Sequence, residues 1–251
     1  MLVRAFIIGV ISMGGFGIQP SLASEPSGEA VAVIQSAAIT GESGNRPLEA
    51  KSPVFMDDIV KTDQGGSAQI RFLDDTKLVV GPNSEITIDK FVFDGQSTAS
   101  EVTIDAVRGA FRFISGSSQS QAYTINTPTA TIGVRGTAFD VTVANGATNL
   151  ALYDGGVRLC DKTGQNLRCT ELTGRCRILI LEPQDGFRWV NDIYERTELM
   201  KTTFPYAFEQ SGLRNEFRVQ SRSCNNPKRI KKAKRDRDDR SRDDDPKKPI
   251  D

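Results

Sequence analysis

Between Val31 and Leu181, apolar side chains recur at every second position in short runs, and no run gives way to a helical period. The runs Ala68–Phe72, Glu85–Asp89, Val102–Ala106, Ala110–Phe113 and Phe139–Val143 each place their apolar residues on one side of an extended chain. A strand with one apolar face must cover it with another sheet or with a helix, and helical periods are absent from this region. The separators are turn formers: Asp74-Asp75, Gly81-Pro82-Asn83, Asp94-Gly95, Asn145-Gly146 and Asp154-Gly155. Strands returning every eight to twelve residues exclude βαβ units and imply an all-β fold, either a β-solenoid or roll or a sandwich. A solenoid asks for a strict repeat length and the chain shows only a loose one, so the pattern leaves the topology open.

After Trp189 the period changes. Asp192 is placed to cap a short helix through Tyr194, Glu195, Leu199 and Met200. Pro205 is placed to open a second, with Phe208, Leu213 and Phe217 on one face. Residues 24–190 therefore read as a β-domain and 191–224 as a helical appendage that covers part of its core, an exposed aromatic docking face being the sharper alternative. From Asn225 to Asp251 Ile230 is the one strong hydrophobe before Ile250. Such a segment offers nothing to offset the entropy of ordering, and a disordered mixed-charge tail is expected.

The N-terminus carries Arg4, an apolar stretch from Ala5 to Ile18 and the small residues Ser21 and Ala23. An apolar stretch of fourteen residues is short for a membrane span, and the pattern fits a signal peptide over residues 1–23 cleaved after Ala23. The expected mature protein is periplasmic or secreted, with no integral membrane span. Export makes disulfides the default for Cys160, Cys169, Cys176 and Cys224, with three pairings formally open. A hairpin joining the run Val157–Cys160 to a strand beginning at Cys169 would set those two face to face, which favours Cys160 with Cys169 and leaves Cys176 for Cys224.

No histidine is present, so the usual nucleophile–base arrangements are missing, and no C-x-x-C spacing suggests zinc. The visible carboxylate pairs are Asp57-Asp58 and Asp74-Asp75. Neighbours on an extended strand point to opposite faces and would not converge on one glycosidic bond, and Asp74-Asp75 sits where a turn favours Asp for local hydrogen bonds. Calcium would need Asp57, Asp58 and Asp74 on one edge, without the usual Asp-rich loop. The expectation is no catalytic residue, no metal and no cofactor. Six of the eight residues from Lys228 to Arg235 are basic, while the chain from 24 to 226 has a net charge of −5. Weak attraction of an anionic polymer by the tail is therefore conceivable, against a simple solvated polyampholyte. With no aromatic residue interleaved, specific nucleic-acid binding is not expected.

The stretch Thr129–Phe139, TATIGVRGTAF, has the Gly-x-x-Gly spacing of a phosphate loop, but it leads into the alternating run Phe139–Val143 rather than a helix. Gly133 and Gly136 read as backbone relief at a corner of the β-domain. Ile132 and Phe139 pin the two ends in the core, and Arg135 reads as a surface ion-pair partner.

Taken in order, these pieces resemble the FecR domain, a periplasmic all-β module known from regulators of iron-siderophore uptake. Asp57–Asp63 resembles its opening segment, and Ala68–Leu78 its strand, Asp-rich turn at Asp74 and second strand. Gly81-Pro82-Asn83-Ser84 with Ile86 and Ile88 matches the next turn and strand. Val107–Phe113 matches the strand around Gly109, and Thr127-Pro128-Thr129-Ala130 with Val134-Arg135-Gly136-Thr137-Ala138-Phe139 matches the close. The motif residues so named are Asp74, Gly81, Gly109, Pro128, Gly136, Thr137 and Phe139, within a motif core of about residues 54–160. Membrane-bound regulators of the family carry a cytoplasmic helical segment before their span. Here only Met1 to Arg4 precede the apolar stretch, and contact with a sigma factor by that route is not expected. The resemblance implies a non-enzymatic binding or sensing module of the cell envelope with a protein partner. A matrix-associated protein holding an anionic polymer and a carbohydrate-active enzyme are the alternatives.

Overall fold

The structure is a computed structural model that describes residues 25–42, 44–93, 98–164 and 166–225. The expected signal peptide and its cleavage point, the Asp94-Gly95 turn and all but the first residue of the expected tail lie outside the described residues. Fifteen strands precede one α-helix. They are β1 (Gly28–Ile34), β2 (Ala37–Gly41), β3 (Gly44–Pro47), β4 (Pro53–Val54), β5 (Ile59–Thr62), β6 (Ser67–Phe72), β7 (Lys77–Val80) and β8 (Glu85–Phe93). Then come the long β9 (Ala99–Ile114), the short β10 (Tyr123–Asn126), the long β11 (Ala130–Ala144) and β12 (Ala147–Asp161), and β13 (Arg168–Thr173), β14 (Arg177–Glu182) and β15 (Gly186–Val190). Helix α1 is Ile193–Thr202.

All fifteen strands belong to one hydrogen-bonded sheet, and the partners of the long strands change halfway along. The first part of β9 pairs with β8 and β10, whereas Gly109–Ile114 pairs with β11. Strand β11 pairs with β10 before residue 135 and with the end of β9 after it, and β12 pairs with β14 early and with β13 late. The sheet is thus folded over into two layers. The first runs β3-β2-β5-β8-β9-β10-β11-β12-β13 and the second β4-β1-β6-β7-β9-β11-β12-β14-β15, with β9, β11 and β12 passing through both. Ile86, Ile104, Ile132 and Leu159 of the first layer meet Ile70, Phe113, Phe139 and Leu150 of the second in one core. The described pairs are antiparallel except β9 with β10, so the solenoid alternative gives way to a sandwich-like fold.

Each crossing strand switches the parity of its inward residues at the corner: 102, 104 and 106 become 111 and 113; 130, 132 and 134 become 139, 141 and 143; 150 and 152 become 157 and 159. In the middle of each switch stands a glycine with a left-handed backbone, Gly109 (φ 104°), Gly136 (φ 59°) and Gly155 (φ 77°). A residue of extra length at a left-handed glycine bends a strand and re-aims its side chains, so both halves keep their apolar face on one core. The runs Val102–Ala106 and Ala110–Phe113, which look like separate strands in sequence, are therefore one strand bent at Gly109. Asp154-Gly155 likewise bends β12 rather than ending it. Gly133 departs from expectation: it lies in the regular part of β11 opposite Thr124 and Arg158, and only Gly136 relieves the corner.

The corners differ in how much room they leave. A methyl group on Gly155 would sit 2.0 Å from the Gly136 carbonyl oxygen, whereas one on Gly136 would meet only Ser120 Oγ at 3.9 Å. Gly136→Ala should cost the left-handed penalty alone, about 1 kcal/mol. Gly155→Ala should cost at least about 2 kcal/mol, because two backbones must also separate. Urea unfolding of the two variants checks this; equal losses would mean that the corners are not packed against each other.

Asn145-Gly146 forms the expected tight turn between β11 and β12, both residues having positive φ (51° and 77°). Asp192 caps α1 through its Oδ1, which accepts from Tyr194 N and Glu195 N at 2.9 Å each. Among the described residues no second α-helix follows Pro205. The chain makes turns and short 3-10 segments at Asn215–Phe217 and Arg222–Asn225, although Leu213 and Phe217 are buried as their spacing suggests. Several of its backbone groups are taken by side chains of the sheet, which offer partners that a helix would otherwise have to supply. Among the described residues no helix is long and apolar enough to cross a membrane.

Candidate functional site: the seam under the C-terminal segment

One row of side chains crosses the outer face of the second layer through Gln69, Val79, Arg112, Asp140, Ala151, Ile178 and Val190, which are cross-strand neighbours in that order. The segment from Ile193 to Cys224 lies along this row and covers it. Met200 and Phe204 pack on Ala151, Ile178 and Val190, and Leu213 and Phe217 pack on Val79. Between these two apolar ends sits a buried ion pair.

Arg112 and Asp140 are bidentate, with Nε to Oδ1 at 2.7 Å and Nη2 to Oδ2 at 2.9 Å, and both side chains are almost wholly out of water (0% and 3% exposed). The pair does not stand alone. Tyr153 OH donates to Asp140 Oδ2 at 2.8 Å, and Arg112 donates to Gln210 Oε1 and to the Tyr206 carbonyl, both at 2.7 Å. The guanidinium also lies over the rings of Tyr153 and Tyr206, 5.3 and 5.9 Å from their centroids. Burial opposes the charge on Arg112, but the Asp140 carboxylate outweighs it and the net direction is upward. Burial first, then Asp140, pushes the Tyr153 phenol well above its usual value. Burial likewise carries Tyr206 up to about 12. Arg112, Tyr153 and Tyr206 therefore keep their protons through the physiological range, so the cluster is suited to fastening rather than to moving protons.

Gln210 and Gln69 extend the fastening. Gln210 Nε2 donates to Ser221 Oγ at 2.8 Å while its Oε1 accepts from Val219 N at 2.8 Å. Gln69 Nε2 donates to the Gly212 carbonyl at 3.1 Å while its Oε1 accepts from Arg214 N at 2.8 Å. Each amide thus replaces a backbone partner that the irregular segment cannot supply itself. Beside the seam, two adjoining grooves of about 400 and 770 Å³ share Arg218, Val219 and Gln220. Arg175 and Asp154 line the smaller, and Arg222 and Glu209 the larger.

The motif residues turn out to build the scaffold. Asp74 is buried, and its carboxylate accepts from Thr76 N and Oγ1, Ser118 Oγ and Tyr123 OH at 2.7–3.0 Å, tying the β6–β7 turn to the segment before β10. Its neighbour Asp75 points into solvent and pairs with Lys77. Gly81 lies so close to the Ala110 carbonyl and the Tyr206 ring that a methyl group would meet them at 2.7 and 3.1 Å. Pro128 sits exposed in the β10–β11 turn, Thr137 is buried with its hydroxyl on the Asp154 carbonyl, and Phe139 stacks on Phe113. Asp57 is exposed, whereas Asp58 is buried, accepts from Phe55 N at 2.8 Å and faces Arg46 at 3.7 Å. The two carboxylate pairs therefore do not come together, and no group of three metal-ligating side chains occurs among the described residues. Arg135 pairs with Glu171 at 3.4 Å on the surface.

The four cysteines form two disulfides, Cys160 with Cys169 and Cys176 with Cys224. The first joins directly paired residues of β12 and β13. The second fastens the end of the C-terminal segment to the start of β14. The features that sequence reasoning missed are Arg112, Asp140 and Gln210. The available signal is a charged residue between two buried aromatics, Phe111-Arg112-Phe113, matched by Asp140 between Phe139 and Val141.

Residues 58–158 match the family model described as FecR protein. Two solved structures of "a putative anti-sigma factor from Parabacteroides distasonis ATCC 8503" are similar at 14% and 13% identity, with TM-scores of 0.43 and 0.42. In each case 53% of this chain is aligned with 59% of the other's length. No curated protein matches the chain.

Proposed function

Since the chain carries a FecR domain at residues 58–158, we propose that it is an exported, non-enzymatic binding or sensing module of the cell envelope that acts by holding a protein partner. The observation that carries this reading is the outer face of the first layer. Thr87, Asp105, Asn126 and Thr131 are cross-strand neighbours in one row, and Lys90, Thr103, Thr124, Gly133, Arg158 and Glu171 form the next. No described element covers this face, while the corresponding face of the second layer is sealed by the C-terminal segment. Thr87, Thr124, Asn126 and Thr131 bring short hydroxyl and amide groups with little side-chain entropy to lose, and Lys90, Arg158 and Glu171 add exposed charge at the ends of the second row, a spread of hydrogen-bonding groups that suits a protein surface better than a small molecule. Two disulfides support a life outside the reducing cytoplasm. The buried carboxylates Asp74, Asp140 and Asp161 are each occupied by several donors, which supports scaffolding over catalysis.

The test is capture from an envelope extract by the full mature chain, compared with Thr87→Arg/Thr124→Arg and with a chain ended after Asn226. A partner held by the mature and shortened chains but released by the double variant is the expected result. Equal capture by the double variant would remove the face from the binding role, and loss on shortening would move that role to the tail. Measurable glycan turnover abolished by Asp74→Asn or Asp75→Asn would replace the reading with an enzyme.

A further inference from the structure

The two disulfides differ in what surrounds them. Cys176 and Cys224 are buried in the apolar cluster beneath the C-terminal segment. Cys160 and Cys169 are both half-buried, and Cys160 lies one residue out of step with the inward Leu159, which puts this bridge on the outer face of the first layer. Thr131 is the cross-strand neighbour of Cys160, so the bridge ends the row that runs through Asp105, Asn126 and Thr131. Cys169 belongs to β13, an edge strand that pairs with β12 alone among the described residues. A thiol can therefore reach this bridge from solvent and from the open edge, whereas the other bridge is reached only after the C-terminal segment lifts.

The charges around the exposed bridge are unequal. Arg158 stands on the same face of β12, two residues from Cys160 and thus roughly 7 Å along the strand. It is exposed, and among the described residues it makes no salt bridge; its cross-strand neighbour Glu171 is turned to Arg135 at 3.4 Å. The other cations of this hairpin are engaged, Arg168 with Asp161 and Lys162 with the Thr127 carbonyl. Opening the bridge does not release β13, because the two strands stay paired from Gly156 with Thr173 to Asp161 with Arg168 and Leu172 is buried in the core. Residues 160 and 169 therefore remain opposite each other, and the reduced pair stays poised to close again.

We propose that the Cys160–Cys169 bridge is a thiol-exchange site, opened in the folded protein by a dithiol and closed again by the disulfide form of that reagent, with Arg158 as a positioning residue for the outgoing thiolate. One thiolate of the dithiol attacks Cys169 Sγ from the strand edge. The new S–S bond forms as the bond to Cys160 breaks, and the electron pair leaves on Cys160 Sγ, on the same face as the Arg158 guanidinium. A nearby cation stabilises a thiolate, and a more stable thiolate leaves faster. The second thiolate of the dithiol then attacks its own partner sulfur in the mixed disulfide and expels the Cys169 thiolate. Two electrons and two protons pass to the bridge, and the dithiol departs as its own disulfide. The face that carries the bridge is the one proposed above to hold a partner, but the exchange does not depend on what that face holds.

The test treats the folded full chain with reduced dithiothreitol at neutral pH without denaturant, quenches samples with iodoacetamide at intervals and locates the label by mass spectrometry. Cys160 and Cys169 should be labelled together and at least about ten-fold faster than Cys176 and Cys224, with the far-UV circular dichroism unchanged, because only the second pair must wait for local unfolding. Arg158→Gln should slow the opening several-fold. Glu171→Gln, which removes the opposing carboxylate, should speed it, and added salt should bring the two variants together. A role in packing alone would move both variants the same way. Equal opening of the two bridges, opening only in denaturant, or charge variants that do not separate in opposite directions would overturn the proposal.

Discussion

Asp140→Ala should destabilise the protein by about 3–5 kcal/mol, because it leaves the Arg112 guanidinium buried with no anion. The loss should exceed that of truncating any exposed ion pair, such as Arg71 with Glu29, where about 0–1 kcal/mol is expected. Replacing both members, as Arg112→Met/Asp140→Leu, should be less damaging than the single change, since no uncompensated charge remains. It should still fall short of wild type, because the Tyr206 carbonyl and Gln210 lose the donor that now holds them. The two variants and Arg112→Met form a double-mutant cycle readable by urea unfolding. The damage should also be local. Protease cuts between residues 203 and 220 should appear in Asp140→Ala before cuts in β9 or β11. A loss below about 1 kcal/mol for Asp140→Ala would mean that water reaches the pair and that the segment is held by its apolar ends alone.

The same pair shows where sequence stops being legible. Alternation in Ala110–Phe113 and Phe139–Val143 correctly marks Phe111, Phe113, Phe139 and Val141 as inward, and by the same rule marks Arg112 and Asp140 as facing water. What covers that outer face comes from Tyr206, Gln210 and Phe217, which lie 94, 98 and 105 residues after Arg112, and nothing local to β9 or β11 announces it. Features set by adjacent residues were readable: the Asn145-Gly146 turn, the Asp192 cap, and the hairpin that opposes Cys160 to Cys169. Bends within a strand were not, because Gly109 and Gly155 break the alternation as a turn would, and only pairing to two different neighbours distinguishes a corner from an end. The second helix failed for a related reason. Phe208, Leu213 and Phe217 have helical spacing, but Gln69 and Gln210 supply hydrogen bonds that make a non-helical path affordable.

Removing the Cys176–Cys224 bridge, as Cys176→Ser/Cys224→Ser, should cost about 4 kcal/mol, because its ends are 48 residues apart in sequence and the unfolded chain regains that loop's freedom. The Cys160–Cys169 bridge closes a span of nine residues and joins strands already paired, so Cys160→Ser/Cys169→Ser should cost less, about 2.5 kcal/mol. Location separates the two further. Cys224 is fully buried at the far end of the segment that crosses the Arg112–Asp140 row, so losing its bridge lets the segment peel from that end. Amide exchange should then speed up first around Val219 and Ser221, then at Ala207 and Phe204, while the β11–β12 hairpin keeps its protection. Cys160→Ser/Cys169→Ser should instead loosen only the β12–β13 loop. If both double variants lost the same stability and exchanged alike, the long bridge would not be what holds the seam closed. The fastening would then rest on Arg112, Gln210 and the apolar anchors Phe204 and Phe217.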